Sequence, residues 1–296
     1  MRSGTALRYL LGLDALLCLV LVVVEPTYVF DWDAYMEQTH QVLSERQYDY
    51  ARLRGDTGPL VYPAGFVWLF GGLSKLSQWN HTLHTTEYVP KPQFADKYPA
   101  RVVRPRARVL ILQGVFALVY LGGNALLARA YQRTKTMPWW GVFLLMCSRR
   151  VHSIFVLGLF NDCWAVLLLV VALHFLLQDR WPRACVFFSL AVSVKMNILL
   201  FAPSLLLLML QRFRSVRRAV ELIGVCAVVQ LGLALPFLAC NPFHYVAGAF
   251  NLGREFMHEW SVNWQFLPTW LFLSKAWAVG LLVAHVAALY MFAEKK

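Results

Sequence analysis

The stretch LLGLDALLCLVLVVVEPTYVFDWDAYMEQ, Leu10–Gln38, decides the fold class, because a long apolar run ends directly at two acids. The run up to Val24 is interrupted only by Asp14, and two arginines precede it. The residues around Val24 lack the small side chains of a signal-peptide cleavage site, so we expect an uncleaved first membrane span. Asp31 and Asp33, which follow this span, are therefore expected at the membrane surface.

The whole chain is similarly apolar. It has 296 residues, of which 59% are hydrophobic and 15% charged, and its mean hydropathy is +0.52. This composition is typical of an all-α polytopic membrane protein. The net charge of +12 comes from short basic clusters between apolar runs, which indicates orientation in a bilayer rather than binding to nucleic acid. The six cysteines show no CxxC spacing and the histidines no HExxH spacing, so we predict no metal, no disulfide framework and no cofactor.

Apolar runs predict about eight transmembrane helices. Their approximate bounds are 8–24, 109–128, 137–150, 163–177, 184–196, 198–211, 219–239 and 268–292. Several are shorter than the roughly 20 residues that cross a bilayer unaided, and such helices are tolerated where they line a cavity.

The segment TGPLVYPAGFVWLFGGL, Thr57–Leu73, is apolar enough to be a further span, but the basic residues argue against it. If it does not cross, most basic residues of the short loops lie on the side of the N-terminus, as the positive-inside rule requires. We therefore predict an amphipathic or re-entrant helix begun by Pro59, with both termini cytosolic. Residues 1–296 then form one transmembrane domain. Its large loops, 25–108 and 240–267, lie on the far side of the membrane, opposite the two termini.

The first far-side loop contains several unusual polar residues. One of Asp31 and Asp33 is a candidate general base; alternatively, both acids simply end a helix in water. Asp56 lies in the turn GDTGP and is either a cap of the next helix or a substrate contact. Tyr62 either shapes a lipid or sugar pocket or packs as a core aromatic. Asn80 begins the one Asn-x-Ser/Thr sequon of the chain and is a candidate for N-glycosylation.

The segment SRRVHSIFVLGLFND, Ser148–Asp162, places cations before an apolar turn and polar residues after it. Arg150 and His152 are candidates for binding a phosphate, with contact to lipid headgroups as the alternative. Asn161 and Asp162 are candidates for the same site, although Asp162 is also suited to cap a helix.

Lys195, in LAVSVKMNILLF, is a lone cation between apolar residues. A charge at mid-membrane costs roughly 2.5–3.5 kcal/mol, so we expect this lysine to have a partner or a ligand. In the last far-side loop, Arg254 and His258 are four residues apart, hence on one helical face, and are candidates to grip an anionic group. Trp264 is suited either to stack on a sugar or to lie at the membrane interface.

Five stretches taken together resemble one family, the dolichyl-phosphate-mannose-dependent α-1,3-mannosyltransferases of N-glycan precursor assembly. They are FDWDAYMEQ, YDY…LRGDTGPLVYPAGFV, RVHSIFVLGLFND, FFSLAVSVKMNILLFAP and NLGREFMHEWSVNWQFLP. The resemblance implies a GT-C type glycosyltransferase of the endoplasmic reticulum membrane with a long first luminal loop and a luminal active site. It also implies transfer of mannose, with inversion, from dolichyl-phosphate-mannose to Man5GlcNAc2-PP-dolichol.

GT-C enzymes generally place an acidic catalytic residue in the first luminal loop. The resemblance carries that role to Asp31, with Asp33 as the second candidate. Fixed cations are then needed to stabilise the charge on the departing dolichyl phosphate. The candidates, in order, are Lys195, His152, Arg150 and Arg254.

Two features depart from the family pattern. Residues 75–108 are polar, basic and proline-containing and are expected to be an insertion, and family members continue with further spans beyond Lys296, so we expect a shortened chain. A non-catalytic or inactive form that binds dolichol-linked glycans is therefore an alternative. A lipid or solute transporter is another, although we find no internal repeat of the kind common in transporters.

Overall fold

A computed structural model describes residues 3–24, 27–28, 31–77, 87–88, 101–103, 107–251, 258, 261 and 263–294. This part of the chain is predominantly helical. The α-helices, in chain order, are α1 (Ser3–Val24), α2 (Trp32–Leu43), α3 (Ala64–Ser77), α4 (Ala107–Thr134), α5 (Trp139–Met146), α6 (Arg149–His152), α7 (Asp162–Leu176), α8 (Trp181–Val194), α9 (Ala202–Phe213), α10 (Val216–Cys240), α11 (Pro242–Ala249), α12 (Thr269–Phe272) and α13 (Lys275–Glu294). A π-helix, Ser153–Leu157, continues α6, and a 3₁₀ helix, Met196–Phe201, precedes α9.

The strands are short. They are β1 (Thr27–Tyr28), β2 (Arg54–Gly55), β3 (Gly58–Pro59), β4 (Glu87–Tyr88) and β5 (Arg101–Val103). Strands β2 and β3 form an antiparallel hairpin with Arg54 opposite Pro59, and β5 pairs antiparallel with both β1 and β4. None of these strands is long enough to affect the fold class.

Five helical segments of the described chain are long and apolar enough to cross a membrane. They are Gly4–Val24, Val109–Thr134, Met196–Phe213, Val216–Cys240 and Lys275–Glu294. A sixth span results if the pair Trp140–Met146 and Arg149–Leu157, bent by 47°, is counted as one. The prediction of an all-α polytopic membrane protein is therefore confirmed. Helices α7 and α8 coincide with two predicted spans but are shorter than a full crossing, so the number of eight stays a prediction.

Helix α1 shows why these segments suit a bilayer. Leu13, Leu16 and Val20 are exposed on one side, while Asp14 and Cys18, one turn apart, are buried on the other. Apolar side chains thus face outward, where the lipid would be, and the acid faces the protein interior. This is the arrangement expected for an ionisable residue in a membrane helix.

The apolar segment Thr57–Leu73 does contain a helix, but the predicted start at Pro59 is wrong. Pro59 lies in β3, because Gly58 has a φ of 128° and turns the chain into a hairpin. Helix α3 begins only at Ala64 and has 14 residues, too few to cross the bilayer. Asp56 accordingly lies in the hairpin turn and not at a helix cap, and its backbone N–H donates to Glu37 Oε2 at 2.8 Å.

The chain divides into two compact units. The first comprises Met1–Ile198 and Glu221–Phe250, and the second Leu199–Val220 and Asn251–Lys296. The core of the first unit is strongly aromatic: the rings of Phe66 and Phe70 stack at 4.6 Å, and Tyr35 of α2 packs edge-on against both, at 4.9 and 5.1 Å. This packing fixes α2 on α3.

Candidate functional site

Asp31 occupies the N-cap position of α2 and is half-buried. An N-cap aspartate normally accepts a hydrogen bond from a backbone N–H of the first turn. The Asp31 side chain makes no such bond; instead the Tyr35 hydroxyl, one turn later, donates to Asp31 Oδ2 at 3.4 Å. The Asp31 side chain thus accepts from Tyr35 and not from the backbone of the first turn, and its role as a general base stays a prediction.

The Tyr35 hydroxyl also lies 3.2 Å from the hydroxyl of Tyr62, in the loop before α3. Burial is the main cause that raises the pKa of Tyr35 well above its usual value, and the nearby Tyr62, Asp31 and Asp162 raise it further. Tyr35 therefore stays protonated. The charges of Asp31 and Asp162 thus both act on this one hydroxyl.

Lys195 follows the last residue of α8 and has the partner that its isolation predicts. Its ammonium Nζ lies 2.5 Å from Asp162 Oδ2 and donates to Asn161 Oδ1 at 3.3 Å. Asn161 is fully buried, and its amide donates to the carbonyl oxygen of Val194 at 3.4 Å. The Lys195 and Asp162 side chains are 23% and 27% exposed, so the ion pair is accessible to a ligand.

An irregular segment between α6 and α7 positions Asn161 and Asp162. The π-helix ends at Gly158, where a Cβ would lie 2.7 Å from the Phe160 ring, and the next residue, Leu159, is buried with a φ of 54°. π-Helices and left-handed non-glycine residues are uncommon and cluster at functional sites. The backbone turns sharply here and places both polar side chains at Lys195.

Helix α3 covers the end of α8 next to Lys195. Gly65 permits the approach, since a Cβ at this position would overlap the side chain of Ser193 and lie 3.0 Å from its carbonyl carbon. The Tyr245 hydroxyl accepts a hydrogen bond from the Ala64 backbone N–H at 3.4 Å, and the Tyr50 hydroxyl donates to the carbonyl oxygen of Tyr62 at 3.0 Å. These contacts fix the loop that carries Tyr62.

His152 lies away from this cluster, in a buried polar network with α1. Its Nε2 lies 2.8 Å from Asp14 Oδ1 and its Nδ1 lies 3.0 Å from the carbonyl oxygen of Ser148. The hydroxyl of Tyr120 and the amide of Asn124 also donate to Asp14, at 3.4 and 3.2 Å. Both ring nitrogens of His152 thus have partners inside the protein, and the predicted contact with phosphate would require this pair to open.

The same network offers atoms of the kinds that bind metals. Ligand atoms of Asp14, Cys18 and His152 lie within 4.8 Å of one another. The short contact between Asp14 and His152, however, already satisfies these two side chains by direct hydrogen bonding. Its geometry is that of an ion pair that ties α6 to α1.

The remaining predicted site residues are placed as follows. Asp33 is half-buried in the first turn of α2, where its charge suits the helix dipole, and Arg150 is exposed on α6. His258 and Trp264 belong to the second unit, where His258 Nε2 lies 3.3 Å from the carbonyl oxygen of Trp264. Arg254 and Asn80 lie outside the described residues.

Sequence reasoning missed Tyr35 and Asp14. Tyr35 carried a detectable signal, since it lies four residues after Asp31 and such side chains share a helix face. Asp14 was noted only as an interruption of an apolar run, although an acid inside a membrane helix is itself a sign of a buried partner.

These observations define an all-α polytopic membrane protein. An acid, a tyrosine and a lysine–aspartate pair lie at the ends of its helices, and a second tyrosine lies in the loop before α3. The model of the ALG3 protein family matches residues 8–95 and 100–296, and the chain belongs to this family. Residues 96–99 lie outside the matched ranges, and the insertion at 75–108 stays a prediction. No solved structure matches the chain.

The chain is similar to several Dol-P-Man:Man(5)GlcNAc(2)-PP-Dol α-1,3-mannosyltransferases. It is 43% identical to that of Homo sapiens over 97% of this chain and 61% of the relative. It is 42% identical to that of Arabidopsis thaliana over 96% of this chain and 58% of the relative. A probable enzyme of the same name from Dictyostelium discoideum is 35% identical over 88% of this chain and 59% of the relative. The chain therefore spans about three fifths of the length of these relatives.

Proposed function

We propose that this protein is a GT-C type mannosyltransferase of the endoplasmic reticulum membrane. It moves mannose from dolichyl-phosphate-mannose to Man5GlcNAc2-PP-dolichol in α-1,3 linkage, on the luminal side. The names of the relatives supply the substrates and the linkage. The observation that carries the proposal is the Asp31 carboxylate, which makes no cap hydrogen bond to its helix and accepts one from Tyr35. The charge of Asp162, the partner of Lys195, acts on the same Tyr35 hydroxyl.

The reaction is a single displacement. Asp31 takes the proton of the acceptor hydroxyl while its oxygen bonds to C1 of mannose on the face opposite the phosphate. The bond from C1 to the phosphate oxygen breaks, and the configuration at C1 is inverted. Dolichyl phosphate leaves with one additional negative charge, and the ammonium group of Lys195 stabilises that charge.

Asp162 and Asn161 fix the position of the Lys195 ammonium group. Without a partner the ammonium group would be costly at membrane depth. With Asp162 at 2.5 Å and Asn161 at 3.3 Å it is fixed at the end of α8, yet about a quarter of the side chain remains exposed. A phosphate can therefore approach Lys195 without burying a bare charge. Arg150, in the same unit as Lys195, is a further candidate phosphate contact.

Both proposed substrates are lipids, which accounts for a site between apolar helices. They reach the protein by lateral diffusion in the bilayer. A polar cluster at helix ends, next to lipid-facing surfaces, is where a reaction between two such headgroups is expected. The proposed luminal side follows from the predicted positive-inside orientation.

The test uses cells that accumulate Man5GlcNAc2-PP-dolichol. Membranes carrying the full chain are expected to extend this glycolipid by one mannose. Asp31→Asn should lower the transfer rate by about 10²–10⁴-fold, as is typical for loss of a general base. The matched control is Asp33→Asn, two residues away at the start of the same helix, which should keep most of the activity. Undiminished transfer by Asp31→Asn at normal expression would exclude Asp31 as the base.

The outcome that this test must separate from turnover is binding of dolichol-linked glycans alone. In this case the correctly inserted protein would retain Man5GlcNAc2-PP-dolichol in a binding assay but form no extended product. Lys195→Met should weaken that binding only if the lysine contacts phosphate.

A further inference from the structure

We propose that Tyr35 is a positioning residue for Asp31: its hydroxyl, held in turn by Tyr62, orients the carboxylate and favours its ionised form. The proposal deepens the proposed function, on which it rests for the role of Asp31 as base. The contact itself can be tested without any turnover.

The hydrogen-bonding capacity of the two tyrosines fixes a direction for the chain of contacts. A tyrosine hydroxyl has one proton to donate. Tyr35 donates its proton to Asp31 Oδ2 at 3.4 Å, so the contact of 3.2 Å with Tyr62 must be a hydrogen bond donated by Tyr62. The order is Tyr62 to Tyr35 to Asp31, and bonds in such a chain strengthen one another.

The ring of Tyr35 does not need its hydroxyl for packing. Tyr35 is 2% exposed and already packs edge-on against Phe66, Phe70 and the Tyr62 ring. A phenylalanine at this position would keep all three ring contacts and avoid burying a polar group. The hydroxyl therefore has a task that packing does not explain, and its partners are the candidate base and Tyr62.

The hydrogen bond affects the carboxylate in two ways. A donor to Oδ2 stabilises the charged form, so it lowers the pH at which Asp31 loses its proton. It also restricts rotation of the carboxylate and thereby sets the direction in which the group meets the acceptor hydroxyl. Burial raises the pKa of Tyr35 well above its usual value, so the donor proton is retained at neutral pH.

The test compares Tyr35→Phe with a matched control, Tyr50→Phe. Tyr50 is also buried and its hydroxyl donates to the backbone carbonyl of Tyr62, so its loss removes a neighbouring hydroxyl of the same kind. The full chain in nanodiscs is treated with a carbodiimide, which reacts with protonated carboxyl groups, at a series of pH values. Peptide mass spectrometry then gives the fraction of Asp31 that is labelled.

In Tyr35→Phe we expect the midpoint of Asp31 labelling to rise by on the order of one pH unit, the size expected for losing one hydrogen bond to a charged group. Tyr62→Phe should raise it by less, and Tyr50→Phe, which removes only a contact to the backbone of the loop that carries Tyr62, by less again. Equal midpoints in the wild type and in Tyr35→Phe would overturn the proposal. An equal rise in Tyr50→Phe would also overturn it, because the effect would then be a general loosening.

The transfer reaction gives a second, separate readout. Tyr35→Phe should lower kcat by on the order of tenfold, short of the 10²–10⁴-fold loss expected for the base itself, with KM for both lipids unchanged. The acid limb of its pH–rate profile should move to higher pH by the same amount as the labelling midpoint. If Tyr35→Phe shifts the labelling midpoint but the wild-type chain forms no product, the proposed function is refuted and the Tyr35 contact stands. If the wild type is active but Tyr35→Phe leaves the midpoint unchanged, the Tyr35 proposal is refuted and the proposed function stands.

Discussion

The contact between α3 and α8 beside Lys195 allows a quantitative prediction for Gly65→Ala. Gly65 is the second residue of α3, and a Cβ there would overlap the Ser193 side chain and lie 3.0 Å from its carbonyl carbon. Ser193 is buried, and its hydroxyl donates to the carbonyl oxygen of Leu190 at 2.7 Å. Rotation of that hydroxyl cannot relieve the overlap, because the Ser193 Cβ would also be only 2.6 Å away. The helices must therefore separate.

The magnitude follows from comparison with Gly72→Ala in the same helix. Gly72 is exposed, and a methyl group added there would have no other atom within 4 Å, so this variant gains only the higher helix propensity of alanine, about 1 kcal/mol. Gly65→Ala has up to the same gain but also an overpacking cost of about 1–3 kcal/mol. We therefore expect Gly65→Ala to be less stable than Gly72→Ala by about 1–3 kcal/mol. At about 2 °C per kcal/mol, this lowers Tm by about 2–6 °C.

The assay is thermal unfolding of both variants in the same detergent, together with the double variant Gly65→Ala/Ser193→Gly. Removing the Ser193 side chain takes away the atoms nearest to the new methyl group, so the double variant should recover part of the lost stability. If the proposed function holds, Gly65→Ala should also transfer less mannose than Gly72→Ala, because Lys195 is two residues from Ser193. Equal melting temperatures for Gly65→Ala and Gly72→Ala would refute the reasoning.

Two further predictions concern aspartate–histidine pairs of the first unit. Asp14→Ala leaves His152 buried without its partner and should destabilise the protein by about 3–5 kcal/mol in thermal unfolding. The control Leu13→Ala, on the exposed side of α1, should change the stability little. Equal effects of the two variants would contradict a buried pair. His244→Ala removes the hydrogen bond of 2.7 Å that is the largest cause lowering the pKa of Asp49 below 3.8. Because that pKa is lowered on folding, the stabilisation is complete above pH 3.8 and lost as the pH falls through the folded value. Melting curves should therefore show a gap between wild type and His244→Ala that closes toward low pH, and a gap that widens there would contradict the pair.

The sequence predicted those features that depend on local composition. Runs of apolar residues located α1, α4, α10 and α13, because a membrane helix must satisfy its backbone internally and expose apolar side chains to lipid. The start of α3 was misplaced by five residues, from Pro59 to Ala64. A proline suits both the first turn of a helix and a strand at a turn, and the positive φ of Gly58 decided between them.

The partners of the site residues could not be predicted in the same way. Asp162 and Lys195 are 33 residues apart, and Tyr35 and Tyr62 are 27 apart. Each pair meets through helix packing. The turn that brings Asp162 to Lys195 depends on the left-handed backbone conformation of Leu159, which no sequence pattern predicts. Sequence reasoning could therefore indicate that Lys195 needs a partner but could not name it.

A lone charge in an apolar segment must be neutralised, and this applies equally to Lys195 and to Asp14. The two resulting ion pairs differ in how exposed they are. The His152 and Asp14 side chains are 2% and 1% exposed and satisfy each other within the protein, so this pair joins helices. The Lys195 and Asp162 side chains keep about a quarter of their surface exposed, so this pair can exchange one partner for a ligand. This contrast supports proposing Lys195, and not His152, as the phosphate contact. If the proposed function holds, a donor phosphate should weaken the contact between Lys195 and Asp162 and leave that between His152 and Asp14 intact.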